Sequence, residues 1–225
     1  MKSGLLILSV VLAGFSTVGA KDFVNLNFDE GSLPEGPAPD FSQPTTLILP
    51  GWTARMGDHV LSEIRWNSTY QDHGSISLYS WGASVQGRYG VFLKGGAEFP
   101  SLSPIVSASI SQIGMVPADA QSLLFRAFGG DGLTEVRLDG TVLPLIPISG
   151  QGADPNFGVD VRGFAGREVE LKLLTYAVPG GGSSTFFDSL TFSAVSVPEP
   201  STWALLGIGG LALLWATRRN QNAGG

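Results

Sequence analysis

Asp139-Gly140 stands between two short runs, Glu135-Val136-Arg137-Leu138 and Thr141-Val142-Leu143. A two-residue hairpin turn needs positive φ at both central positions, and Asp-Gly tolerates that. The pair therefore predicts a β-hairpin, which needs more strands around it to be stable. The same period of two recurs elsewhere. Val24, Leu26 and Phe28 alternate with Asn25 and Asn27, and Val106, Ala108 and Ile110 with Ser107, Ser109 and Ser111. Val169, Leu171 and Leu173 alternate with Glu170 and Lys172, and Leu190 and Phe192 with Thr191 and Ser193. Half-buried strands have this signature. Further strands are expected over Ser75 to Tyr79, Tyr89 to Lys94, Ser122 to Phe128 and Thr134 to Leu138. No segment between the chain ends keeps a helical period. Short strands punctuated by Gly and Pro predict an all-β fold, an antiparallel β-sandwich or jelly roll. The 31 glycines are in part the turns of such a fold.

The two ends of the 225-residue chain read differently. Lys2 precedes an apolar run from Gly4 to Phe15, and Ser16-Thr17-Val18-Gly19-Ala20 closes it with mostly small residues. A basic start, a short apolar middle and a small-residue cut site describe a secretory signal peptide, with cleavage expected after Ala20. The alternative, an uncleaved anchor, asks for a longer run to cross a ~30 Å hydrocarbon core. At the other end Trp203 to Thr217 carries no charge, and Arg218 and Arg219 follow at once. As a helix this run spans roughly 22 Å, a mismatch that flanking residues or local thinning absorbs. The two arginines are a basic stop that holds the tail in the cytoplasm. The expected organisation is therefore a signal helix over residues 1–20, a β body over 21–197 and a single hydrophobic helix within 198–225.

Val197-Pro198-Glu199-Pro200-Ser201 leads directly into that apolar run. Together with Arg218 and Arg219 it resembles the PEP-CTERM sorting domain of Gram-negative bacteria, which combines Pro-Glu-Pro, one hydrophobic helix and a basic end. The resemblance covers Val197 to Arg219. It implies an exported protein held in the membrane by the helix until exosortase, a membrane protease and presumed transpeptidase, processes it. The mature form is then expected at the cell surface, in the outer envelope or secreted. Physically, two prolines around Glu199 remove backbone donors and keep the segment extended, as a protease substrate must be. A stiff spacer uses the same residues.

Lys2, Arg218, Arg219 and Glu199 lie in the ends, so Lys21 to Val197 is more acidic than the chain's net charge of −6. This argues against nucleic acid as a partner, since phosphate binding needs a basic surface. With no cysteine, disulfides and thiolate metal sites are excluded. The region Val159 to Leu171, with Phe164-Ala165-Gly166 before a strand, and Phe186-Phe187-Asp188-Ser189-Leu190 later are similar to the last strands of galactose-binding-like jelly rolls, the fold of many carbohydrate-binding modules. Asn25-Leu26-Asn27-Phe28-Asp29 would be the opening strand. This resemblance implies a structural calcium near Asp29, Glu30 and Asp188, while acids at turns and strand ends need no metal. Hard oxygen ligands suit calcium.

Catalytic patterns are sparse. His59 and His73 each have an aspartate beside them, Asp58 and Asp72, but nothing marks a nucleophile. The chain carries neither a G-x-S-x-G elbow nor H-E-x-x-H. An enzyme is not the expectation. Trp66, Tyr79 and Trp81 are candidate sugar platforms, because pyranose faces stack on flat rings. Buried aromatics equally build cores. The leading reading is an exported surface or matrix protein with a structural or interaction role linked to exopolysaccharide or biofilm. The alternatives are a carbohydrate-binding module with a defined glycan pocket and, third, a secreted polysaccharide hydrolase.

Overall fold

The computed structural model describes residues 21–32, 42–67, 74–80, 86–97, 104–129, 134–149, 154–177 and 183–197. Signal cleavage at Ala20, the motif residues Pro198 to Ser201, the arginines Arg218 and Arg219, Trp81 and His73 lie outside them. Among the described residues no helix is long and apolar enough to cross a membrane. The described helices are one α-turn, α1 (Thr45–Ile48), and a 3-10 turn, Arg162–Phe164.

Sixteen strands are described: β1 Ser42–Pro44, β2 Thr53–Met56, β3 His59–Val60, β4 Glu63–Trp66, β5 Ser75–Tyr79, β6 Gly90–Lys94, β7 Gly96–Ala97, β8 Ile105–Val106, β9 Ala108–Met115, β10 Ser122–Gly129, β11 Thr134–Leu138, β12 Thr141–Leu143, β13 Ile146–Pro147, β14 Phe157–Asp160, β15 Glu168–Thr175 and β16 Ser184–Ser193. They form an eight-stranded sheet, β1-β4-β5-β6-β16-β10-β14-β13, and a six-stranded sheet, β12-β11-β15-β9-β2-β3. A small pair, β7-β8, stands apart. One core lies between the two large sheets. Leu78, Leu93, Phe125 and Phe187 come to it from the larger sheet, and Ile110, Val136, Leu171 and Leu173 from the smaller. The Thr134 and Thr185 hydroxyls meet across the gap, so the two sheets share a polar contact as well.

The expected hairpin is present. Asp139 and Gly140 have φ +50° and +76°, and Leu138 pairs with Thr141. Both edge strands of the larger sheet carry a proline, Pro44 in β1 and Pro147 in β13. A proline on an edge withholds a donor and blocks pairing with another chain.

Two expectations are corrected. The sandwich is not wholly antiparallel, because β4 and β5 run parallel, with Arg65 opposite Ser77. A parallel pair obliges the chain to return to the same end of the sheet, and Asn67, at φ +50°, begins that detour. Val24 to Phe28 is not a strand. Asn25 and Phe28 both adopt positive φ, and two such residues within five break the extended run a ladder needs. Side chains and scattered backbone bonds satisfy this segment instead, with the Leu190 N–H donating to the Leu26 carbonyl at 3.2 Å. Gln112 accepts from the Val24 N–H and donates to its carbonyl, both at 3.0 Å. The Trp52 indole donates to the Asn25 carbonyl at 3.0 Å.

The start of the body is fastened to β9 and to the last strand. The Lys21 carbonyl accepts from the Met115 N–H at 2.9 Å. Phe23 stacks on Phe192 of the last strand at 5.4 Å.

Candidate functional site

The last strand holds the irregularity that builds the site. Between Leu124 and Arg126 of β10 the pairing with β16 slips: Leu124 faces Thr191, but Arg126 faces Asp188. Two steps on β10 therefore match three on β16, a β-bulge. Ser189, at φ +56°, is the extra residue. Asp188 and Leu190 are two apart and would otherwise share a face. The bulge lets Leu190 join the core and turns Asp188 to the outer face of the larger sheet.

Asp188 is fully buried there. Its Oδ2 accepts from the Gln86 N–H and its Oδ1 from the Ser189 N–H, both at 2.6 Å. Asp29 grips the same connection. Its Oδ1 accepts from the N–H groups of Arg88 (2.7 Å) and Tyr89 (3.0 Å). Asn27 Nδ2 donates to its Oδ2 at 3.3 Å. Gly87, between them at φ +79°, presses so closely on the Asp29 carboxylate that a Cβ would collide with it. Two carboxylates thus clamp the four residues that lead into β6. Burial pushes the Asp188 carboxyl up to about 6, its two N–H donors oppose the shift, and the charge of Asp29 adds to it.

Asp29 and Asp188, expected near one another by resemblance, thus hold neighbouring residues of one connection. Glu30 is exposed, and its backbone N–H is what the fold uses, donating to Asn25 Oδ1 at 3.0 Å. Among the described residues no three His, Asp or Glu side chains converge as a metal group.

Beside Asp188 the outer face is aromatic. Register aligns Ser77 of β5, Phe92 of β6, Phe186 of β16 and Phe128 of β10 in one row across four strands. Phe128 stacks on Phe186 at 4.7 Å. Phe186 also lies over Gly90, where a side chain would strike its ring. Phe92 and Phe186 are buried, and half-buried Tyr79 and Phe128 pack against them. The Arg126 guanidinium sits 5.6 Å from the Phe128 ring centre and donates to the Asp154 carbonyl.

Of the expected sugar platforms, Tyr79 is on this face. Trp66 is not: it shares the inward side of β4 with Ile64, packs on the core and meets Tyr89 edge-on at 5.0 Å. Alternation places Tyr79 outward and Trp66 inward, so they do not converge. The sequence reading missed Phe92, Phe128 and Phe186. The signal for Phe92 and Phe186 is an unbroken apolar run, Val91-Phe92-Leu93 and Phe186-Phe187, which marks a strand buried on both faces. His59 lies on exposed β3.

The end of the body supplies the decisive comparison. The last described residue, Val197, is already inside the segment concerned. Residues 196–219 match the PEP-CTERM protein-sorting motif. A PEP-CTERM motif implies an exported, envelope-associated protein sorted by exosortase, itself a membrane protein. No curated protein matches the chain. Among solved structures, the xyloglucanase domain of NopAA, a type three effector from Sinorhizobium fredii in complex with cellobiose, is similar at 10% identity. Its TM-score is 0.28, over 72% of this chain and 100% of that one.

Proposed function

We propose that this is a non-enzymatic surface or matrix protein whose body contacts extracellular polysaccharide through the outer face of the larger sheet. The observation that carries this is the aromatic row, with buried Phe92 and Phe186 as its floor and half-buried Tyr79 and Phe128 beside them. Half-buried Tyr79 and Phe128, with Arg126 at the side, offer stacking and hydrogen bonding together, which sugar rings use. The PEP-CTERM motif supports it by putting the body outside the cell. Asp188 is a poor acid catalyst here, because it is fully buried and both its oxygens hold backbone N–H groups.

Affinity electrophoresis of the exported protein against the producing cell's own exopolysaccharide tests this reading. Retention is expected, and Tyr79→Ala and Phe128→Ala each weaken it by about tenfold, in line with the stacking free energy of one ring. Retention that ignores both substitutions, or no retention at all, rejects the outer face as the contact.

The clamp favours a second reading. Two carboxylates at one place, one of them buried, form a like-charged pair that a hard cation would relieve. We propose that calcium binds there, held by Asp29 and Asp188 with backbone carbonyls making up the oxygen set. The two carboxylates are hard oxygen donors, the type calcium takes. Calcium would supply the positive charge the pair lacks and lock the connection into β6. Calorimetric titration of the protein with calcium chloride is expected to show heat. Free calcium at about 100 times Kd should add about 2.7 kcal/mol of stability, which a chelator removes. No heat and no shift in melting would dismiss the ion.

A further inference from the structure

The chain does not run straight off the body after β16. The Ser122 hydroxyl donates to the Val195 carbonyl at 2.7 Å, and the Val195 N–H turns back to Ser193 Oγ at 3.1 Å. Val195 itself is 72% exposed, whereas Val197, two residues on, is 8% exposed. Val197 lies over Gly158 of β14, where any Cβ would collide with its Cγ2. Leu124 Cδ2 flanks the same notch, 3.1 Å from that Cβ position. Glycine at residue 158 is thus a socket shaped for this valine. The next residue, Pro198, opens Pro-Glu-Pro.

We propose that the Gly158–Leu124 notch is a docking site for the root of the sorting motif, and that the sorting protease captures the chain only when Val197 has left it. The inference rests on the reading of the tail as an exosortase substrate. A protease takes its substrate extended, with side chains on both sides of the cut free to enter its subsites. Docked Val197 offers no free side chain just ahead of Pro-Glu-Pro. When only a fraction of the chain is competent, apparent affinity falls by that fraction. The body therefore sets the rate at which its own tail is processed.

Two variants test this without touching the motif. Gly158→Val fills the socket, and Leu124→Ala loosens its wall. Each is made in the full-length chain and checked by melting to be folded. In cells carrying the sorting protease, the processed form is followed by pulse-chase and intact mass. Freeing one buried valine should speed processing on the order of tenfold in Gly158→Val, with a smaller gain in Leu124→Ala. In parallel, the purified full-length chain is exposed to elastase, which cuts after small apolar residues. Cleavage after Val195 should accelerate by a similar factor, because elastase also needs Val197 extended.

Equal elastase rates in wild type and both variants would overturn the docking itself. Faster elastase cleavage with unchanged processing in cells would overturn the control of processing. Faster elastase cleavage with no processing of any chain would instead reject the sorting reading and leave the docked valine in place.

Discussion

Phe125→Ala is expected to destabilise the body by about 3–5 kcal/mol, the range for removing a fully buried aromatic ring. Phe125 is fully buried on β10, a strand paired on both sides, with β16 and β14. Its ring stacks with Phe157 and meets Phe187, each at 6.1 Å. Truncation takes a contact from both neighbouring strands at once, and a close-packed interior cannot collapse to fill the space. For a body of this size the melting temperature should fall by about 10 °C. Urea unfolding should show a lower midpoint with an unchanged slope. Val195→Ala, at an exposed site, is the control and should stay within about 0.5 kcal/mol. A loss below about 1 kcal/mol at Phe125 would mean that the two sheets do not share the core described.

The second large effect is a stability that rises as pH falls. Burial raises the Asp188 carboxyl from 3.8 to about 6 in the fold. The folded state therefore holds this proton more tightly than the unfolded chain. The stabilisation is fully present below about pH 4 and is lost as pH rises through about 6. Between pH 7 and 4 the body should gain on the order of 3 kcal/mol from this group. Asp160 works in the opposite sense, since the hydrogen bond from Arg162 lowers its carboxyl. Its contribution is lost only below pH 4, so the two windows separate. Chemical denaturation at pH 7, 6, 5 and 4.5, in chelator, measures the slope. Asp188→Asn should flatten it. A wild type that weakens steadily from pH 7 to 4.5 would refute the assignment. Excess calcium should also flatten the slope, because a cation at the clamp competes with the proton.

Much of this architecture follows from short-range pattern. The Asp139-Gly140 hairpin needs only two residues with positive φ, and both φ and pairing agree with it. The strands at Ser75–Tyr79 and Thr134–Leu138 have the expected ends. Alternation also turned Tyr79 outward, opposite to Ile76 and Leu78. What escaped the pattern depends on the partner strand. Val24 to Phe28 alternates as a strand does, yet Gln112, far along the chain, takes both backbone bonds of Val24, and Trp52 takes the Asn25 carbonyl. The parallel entry of β5 beside β4 depends on a connection and not on composition. The bulge at Ser189 is invisible in β16 alone, because it exists only against β10. Trp66 is a sugar-platform candidate in the sequence, but register with β5 places it inward. Asp29 and Asp188 were named together only through a family resemblance, since nothing local joins residues so far apart.

The position of β16 has a mechanical consequence. This ten-residue strand lies in the middle of the larger sheet, hydrogen-bonded to β6 on one flank and β10 on the other. It is also the strand that continues into the tail. A pull on the tail first meets the seat of Val197 on Gly158; once that yields it runs along β16, where the bonds on both flanks must slip together and cannot open one by one. The first residues brace the same strand, since Phe23 stacks on Phe192. Force enters where the sheet resists shear best, and the rate of unfolding, not the equilibrium, sets how long such a joint lasts.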